Sequence, residues 1–283
     1  MGDEKHERAI SQTAMLIASL RALAVFEDDP AIRGGDSFAE LFLPEDKRQP
    51  LQSPEFRSQI KKMIPEGLYE YVIARTRHFD ELFLQCLRNG FTQIVLLGAG
   101  YDSRPYRFAE QSRGAVIFEV DAAATQQDKR RILMDNGITV PGNVVYVPVD
   151  FEHDDLFRLL SESGYDDTQP SLFSWEGVTF YLSPQAVDAM LEAISRHAAP
   201  GSLLSFDFQH VDHEHGLIDT QLKDEQIKFG MDADACAGYL GQFGFSLRER
   251  LDAQGMESRY LVRSDGAPFS PVKPIMNIVT AEL

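Results

Sequence analysis

Four short apolar runs in this chain stop on residues that could hold a ligand. The run Gln93–Leu97 (QIVLL) ends at Gly98-Ala99-Gly100, and the run 115–120 (AVIFEV) ends at Asp121. The run 143–149 ends at Asp150, which Phe151 follows, and Ser171–Trp175 ends at Glu176. A glycine turn after a strand lets a ligand approach the backbone, because no Cβ stands in the way. An acid at the end of the next strand, about 20 residues on, can accept hydrogen bonds from both hydroxyls of a ribose. Together the turn and Asp121 predict a cofactor containing adenosine.

Two cofactor classes share that geometry. A dinucleotide loop reads Gly-x-Gly-x-x-Gly, its third glycine permitting close helix packing beside a pyrophosphate. Here the third place is Ser103, and Asp102 would set a negative charge against the pyrophosphate. The same carboxylate suits the cationic amine of a methionyl group. The residues therefore favour S-adenosylmethionine and methyl transfer over NAD and hydride transfer. An NAD-dependent oxidoreductase and a non-catalytic nucleotide-binding protein of the same fold are the alternatives.

The elements that position these residues follow from hydrophobic periodicity. Apolar strands alternating with helical segments (122–135, 152–163 and 184–198) predict a mostly parallel sheet covered on both faces, with a fifth strand over 202–208. Ligands of such sheets bind beyond the carboxyl ends of the strands. Amphipathic helices are predicted over 9–26 and 66–89, the latter closed by Asn89-Gly90. A charged helical region is expected over 212–242. Segments 243–250 and 256–263 read as a terminal antiparallel hairpin turning at 252–255. The expected fold class is α/β and Rossmann-like, in one domain over 1–283. It would comprise an N-terminal helical cap (1–90), a cofactor-binding core (91–210) and a substrate-side insertion with the hairpin (211–283).

Composition narrows the partners. The 283 residues carry a formal net charge of -17, which opposes nucleic acid and anionic membrane surfaces. Mean hydropathy is -0.24, and no apolar run approaches the roughly 18 residues of a membrane span. The charged start, Met1 to Arg8, does not read as a secretory signal. Cys86 and Cys236 lack metal-type spacing and read as buried free thiols. A cytoplasmic enzyme acting on a small molecule is the expectation.

Five blocks in order resemble the leucine carboxyl methyltransferase-like family of class I S-adenosylmethionine enzymes. They are Thr13-Ala14 with Arg21-Ala22, Ala74 to Asp80 (ARTRHFD), Leu97 to Arg104 (LGAGYDSR), Phe118 to Asp121 (FEVD) and Trp175 to Leu182 (WEGVTFYL). The wording of the first two is similar to the bacterial branch that methylates small molecules such as polyketides. The resemblance implies that Arg75 pairs with the methionyl carboxylate, with Arg21 in the same role, and that Gly98, Ala99 and Gly100 shape the floor. It implies further that Asp121 holds the ribose, that Asp150 and Phe151 contact the adenine, and that Glu176 lies near the methionyl part. A guanidinium fork suits a carboxylate.

The acceptor is expected to be a carboxylate or a phenolic hydroxyl. A carboxylate is ionised at pH 7 and needs no base, whereas a phenol needs one. His78, His153, Tyr181 and His210 are the candidate bases, none marked by its spacing. Met15, Phe26, Tyr181 and Phe208 are candidate pocket lining. The run from His210 to His215 (HVDHEH) lacks a second ligand cluster, so it reads as a solvated loop with no metal.

Overall fold

Burial on both faces explains why the strand runs are apolar throughout. In the computed structural model, which describes residues 12–151, 153–211 and 226–283, they form one seven-stranded sheet. Its strands are β1 (Gln93–Leu97), β2 (Val116–Asp121), β3 (Val144–Pro148), β4 (Ser171–Trp175), β5 (Leu203–Gln209), β6 (Ser246–Leu251) and β7 (Met276–Glu282). Their order is β3-β2-β1-β4-β5-β7-β6. The first five are parallel, and β7 runs antiparallel between β5 and β6. All residues of β1 and β4 are buried. The order reverses at β1 and β4, so their carboxyl ends flank the crevice where ligands of open α/β sheets bind.

The helices are α1 (Gln12–Ala24), α2 (Glu45–Arg48), α3 (Pro54–Lys61), α4 (Leu68–Arg88), α5 (Arg104–Arg107), α6 (Ala123–Asp135), α7 (Leu156–Glu162), α8 (Pro184–His197), α9 (Cys236–Gln242) and α10 (Ala253–Tyr260). Helix α4 buries Tyr69, Val72, Ile73, Thr76, Phe79, Phe83 and Cys86, a helical stripe that packs it into the core. It begins after Gly67, where a Cβ would lie 2.4 Å from the Lys273 backbone nitrogen. Helix α8 starts on Ser183, whose side chain accepts from the Ala186 N–H at 3.2 Å, with Pro184 in the first turn. The α/β, Rossmann-like expectation is met, with mostly parallel strands and helices leading into them.

The structure corrects the carboxyl-terminal third. The predicted hairpin does not form, because its second arm is α10. Asp252 caps that helix by accepting from the Gly255 N–H at 2.8 Å, and Met256 and Tyr260, four residues apart, share its buried face. The antiparallel partner of β6 is instead β7, which the sequence reading did not anticipate. Helix also fails over 226–235, where the Lys228 and Phe229 N–H groups donate to the Phe180 carbonyl at 2.7 and 3.1 Å. Helical structure in that region is confined to α9, and 212–225 lie outside the described residues. Likewise α7 starts at Leu156 rather than 152, capped by Asp155 accepting from the Arg158 N–H at 3.1 Å.

One buried ion pair ties the sheet to α6 behind the ligand crevice. Glu119 and Lys129 are 0% and 1% exposed, and the Lys129 ammonium donates to Glu119 at 2.7 Å. The Tyr106 hydroxyl donates to the other carboxylate oxygen at 2.8 Å. Burial raises the Glu119 carboxyl above its ordinary range, opposed chiefly by Lys129. Removing one partner of such a pair strands a buried charge. Lys129→Met should therefore cost about 3 kcal/mol of stability at pH 8, and less at pH 5, where the orphaned carboxyl can take up a proton. Urea unfolding at the two pH values measures this, and a pH-independent loss would contradict the charge argument.

Candidate functional site

The carboxyl ends of β1, β2 and β4 open on a cavity of about 320 Å³, within the range of small-molecule sites. Its floor is the turn after β1. Gly98 and Gly100 have φ of +66° and +40°, left-handed values that β-carbon-bearing residues rarely adopt. At Gly98 the constraint is also steric, since a Cβ there would meet the Val178 side chain at 2.4 Å. The turn is pinned from the next strand: the Gly100 N–H donates to one Asp121 oxygen at 2.5 Å, and the Ala122 N–H donates to the other at 2.7 Å. Burial nonetheless raises the Asp121 carboxyl, with the Gly100 bond as the main opposing influence.

The opposite wall is built from charge. Glu176, at the end of β4, lies between two arginines, with Arg75 Nε at 2.9 Å from one oxygen and Arg104 Nη2 at 2.5 Å from the other. Arg75 and Arg104 are 4% and 2% exposed. Burial alone would raise the Glu176 carboxyl, but Arg104 and then Arg75 outweigh it and hold it down at about 2. Arg104 also binds Asp80 at 2.9 Å and Asp102 at 2.6 Å. Arg107 links Asp80 to Asp36, and Asp36 pairs with Arg21 at 3.1 Å. Arg21 in turn donates to the Tyr101 carbonyl at 2.9 Å, joining α1 to the glycine turn. The network runs unbroken from Glu176 at the end of β4 to Arg21 of α1 and the glycine turn.

Eight of the nine sequence-predicted cofactor residues line this cavity: Arg21, Arg75, Gly98, Ala99, Gly100, Asp121, Phe151 and Glu176. Asp150 does not. Its side chain is 59% exposed and lies 3.0 Å from His153 Nδ1, because the chain turns there to let Asp154 accept from the Asp150 N–H at 2.9 Å. Among the candidate bases only Tyr181 lines the cavity. His78 is buried with Nδ1 3.3 Å from the Tyr260 hydroxyl, and burial lowers it to about 4. His153 is 74% exposed, and His210 Nδ1 accepts from the Ala233 N–H at 3.1 Å.

Of the predicted lining, Tyr181 stands, whereas Met15, Phe26 and Phe208 are not among the lining residues. Phe208 is fully buried on β5, and Phe26 packs under the Arg57 guanidinium at 4.5 Å. Thr13, Ala14, Ile17 and Val178 line the cavity instead. Among the described residues, no group of three or more His, Cys, Asp or Glu side chains could hold a metal ion, and most of the 210–215 run lies outside them.

Sequence reasoning missed two residues that hold the site together. Arg104 was visible only as the last letter of the glycine block. Asp207 lies in the middle of β5 and is fully buried. It receives the Arg75 Nη1 donor at 3.1 Å and the Gly177 N–H at 2.6 Å, together with the Tyr71 hydroxyl. An acid inside an apolar strand was the available signal.

The cavity fits S-adenosylmethionine on its donor set. Asp121 and the Phe151 ring suit a nucleoside, while Arg75 and Arg21 beside Glu176 and Asp102 present both signs of charge to an amino-acid end.

The leucine carboxyl methyltransferase family model matches residues 14–195. A Mycolicibacterium smegmatis protein, provisionally named an S-adenosyl-L-methionine-dependent methyltransferase, is 33% identical over 227 residues, covering 76% of this chain and 73% of its own. A Thermobifida fusca protein, solved as a provisional methyltransferase, has a similar fold (TM-score 0.53, 18% identity, 94% of each chain). The 1,6-didemethyltoxoflavin-N1-methyltransferase of Burkholderia thailandensis, solved with 1,6-didemethyltoxoflavin and S-adenosylhomocysteine, also superposes (TM-score 0.50, 14% identity, 85% of this chain and 90% of that one).

Two outcomes follow from the geometry. Gly98→Ala should lose more than about 2 kcal/mol of stability because φ and Val178 both oppose a Cβ; an unchanged thermal midpoint would contradict this. Glu176 has its folded carboxyl at about 2 against an ordinary 4.5. Its stabilising contribution, about 3 kcal/mol, is present above pH 4.5 and is lost as pH falls toward 2. Glu176→Gln should be less stable than the parent at pH 7 and show a flatter acid limb in equilibrium unfolding. An acid limb as steep as the parent's would refute the assignment.

Proposed function

This chain belongs to the leucine carboxyl methyltransferase family, and we propose that it methylates an oxygen of a small molecule, with a carboxylate as the favoured acceptor. The protein is an S-adenosylmethionine-dependent methyltransferase. Bound in the cavity, the cofactor would supply an electrophilic methyl group on a sulfonium, open to in-line displacement.

The protein's share of the work is then positioning and exclusion of water. In this reading Asp121 accepts from the ribose hydroxyls, the Phe151 ring covers the adenine, and Arg75 receives the methionyl carboxylate. Glu176 faces the methionyl ammonium. Arg21 plays the smaller part, since it already serves Tyr101 and Asp36. The acceptor would enter beside Val178, Tyr181 and the Thr13–Ile17 face of α1, which line the cavity without charge.

The observation that carries the acceptor class is the placement of the four candidate bases. Three of them stand away from the cavity, which leaves two tyrosines, Tyr101 and Tyr181, as the titratable neutral groups among its described lining residues, and the Tyr101 hydroxyl already donates to Asp128 at 2.8 Å. A carboxylate nucleophile fits that environment, and the family's description names a carboxyl acceptor. The fold by itself leaves the acceptor atom open, since the toxoflavin enzyme is named for a nitrogen. We further propose that the whole chain, with its helical cap (1–90), core (91–210) and carboxyl-terminal part (211–283), acts as one catalytic unit. A cytoplasmic location fits the two buried free cysteines, and no helix among the described residues is long and apolar enough to cross a membrane.

Two measurements test this reading. Calorimetric titration should show S-adenosylmethionine binding weakened at least about tenfold by Asp121→Ala; equal affinity would remove the ribose assignment. Transfer of a radiolabelled methyl group should be seen with small carboxylic acids, at a rate flat from pH 6 to 9. Turnover confined to phenols or amines, rising with pH, would overturn the carboxylate reading.

A further inference from the structure

Asp207 touches neither the cavity nor solvent, yet it binds three groups from two elements of the site. Its carboxylate takes the Arg75 guanidinium of α4 at 3.1 Å and the Gly177 N–H after β4 at 2.6 Å, and it also accepts from the Tyr71 hydroxyl one helical turn before Arg75. Its backbone carbonyl accepts from the Thr179 hydroxyl, so the loop that follows Glu176 is fastened twice to β5. That loop has little freedom elsewhere. Gly177 has φ of +71°, and a Cβ there would lie 3.0 Å from Arg75 Nη1. The guanidinium is thus gripped between the loop backbone and two carboxylates, those of Asp207 and Glu176.

We propose that Asp207 is a positioning residue for cofactor binding: it aims Arg75 at the methionyl carboxylate and seats the loop carrying Glu176. The proposal rests on the assignment of Arg75 to that carboxylate. A long side chain that meets its ligand through a planar fork loses affinity if the fork is free to rotate. Glu176 attracts Arg75 across 2.9 Å at Nε, an ion pair without hydrogen-bond geometry. Asp207 fixes Nη1 from the buried side, which leaves the orientation of the fork determined. The third ligand, Tyr71, stays a neutral hydroxyl, because burial and then the Asp207 charge push its ionisation far above the ordinary range. It can therefore only donate to Asp207, which fixes the carboxylate in turn.

The test compares two probes, S-adenosylhomocysteine and 5′-methylthioadenosine, which share the nucleoside and thioether but differ in the amino-acid end. In Asp207→Asn the amide keeps an acceptor for Gly177 but loses the charge that holds Arg75. Calorimetry should show homocysteine-nucleoside affinity falling at least about tenfold, with methylthioadenosine affinity within about twofold of the parent. Tyr71→Phe, which retains the charge and tests the arrangement if Asp207→Asn does not fold, should weaken S-adenosylhomocysteine by about threefold to fivefold and leave the truncated probe unchanged. Equal loss of both probes would mean that Asp207 only supports the fold, and loss of neither would mean that Arg75 needs no such support; either overturns the proposal. Arg75→Met separates the premise from the inference. If it leaves S-adenosylhomocysteine affinity intact, the Arg75 assignment falls, and Asp207's role with it. If it weakens binding while Asp207→Asn does not, only the role of Asp207 falls.

Discussion

The site depends on one carboxylate held between two guanidiniums. Glu176 stands at the end of β4 with Arg75 on one oxygen and Arg104 on the other, and each arginine reaches it from a different part of the chain. Taking these groups out of water is costly, and their mutual attraction compensates only when every charge has well-placed partners. The structure meets that condition by extension rather than by isolation. Arg75 passes to Asp207, Arg104 to Asp80 and Asp102, and Arg107 and Asp36 carry the pairing to Arg21. The β4 loop, α4, the glycine turn, α5 and α1 thereby become mutually dependent.

Such a network forces the backbone into conformations that few residues tolerate. The turn after β1 must leave the strand sharply enough to bring the Gly100 N–H onto Asp121. The turn after β4 must bring Gly177 onto Asp207 so close to the Arg75 fork that an added Cβ would lie 3.0 Å from Nη1. Both use positive φ, and both lie beside the cavity. At Gly98 the crowding comes from Val178, a residue of the opposite turn. The two glycine turns are therefore packed against each other.

This explains which parts of the site were legible in the sequence. Strands β1 to β5, helix α4 and the turn residues Gly98, Gly100 and Asp121 were readable because local pattern determines them: burial on both faces gives an apolar run, and a left-handed turn demands glycine. The partners of the acids were not readable, because Arg75, Arg104 and Asp207 meet only after β1, β4, β5 and α4 have packed. Asp150 is a residue in the expected order that stands outside the cavity lining beside Phe151, its local turn carrying the side chain outward to His153. The terminal hairpin failed for a related reason. Residues 256–263 look apolar enough for a strand, but Asp252 is placed to cap a helix, and the true partner of β6 lies beyond three prolines, at β7.

The charge balance of the network bears on what the cavity can hold. Its ion-paired members are four arginines (21, 75, 104 and 107) and five acids (Asp36, Asp80, Asp102, Glu176 and Asp207). With Glu176 ionised at any ordinary pH, the set leans negative, and Asp121 adds a further carboxylate on the far side of the turn. A purely anionic ligand would enter the cofactor-free cavity against that field, so a carboxylate acceptor would be admitted more readily once the cofactor's cationic groups are in place. A ligand bringing an ammonium and a carboxylate together with a sulfonium would not enter against the field, since in the proposed reading its cations would meet the surplus acids and its carboxylate the Arg75 fork. After methyl transfer the sulfonium charge is gone and the ligand is less well matched to the same field. In the proposed reading, the acids that draw the cofactor in would therefore also favour release of the product.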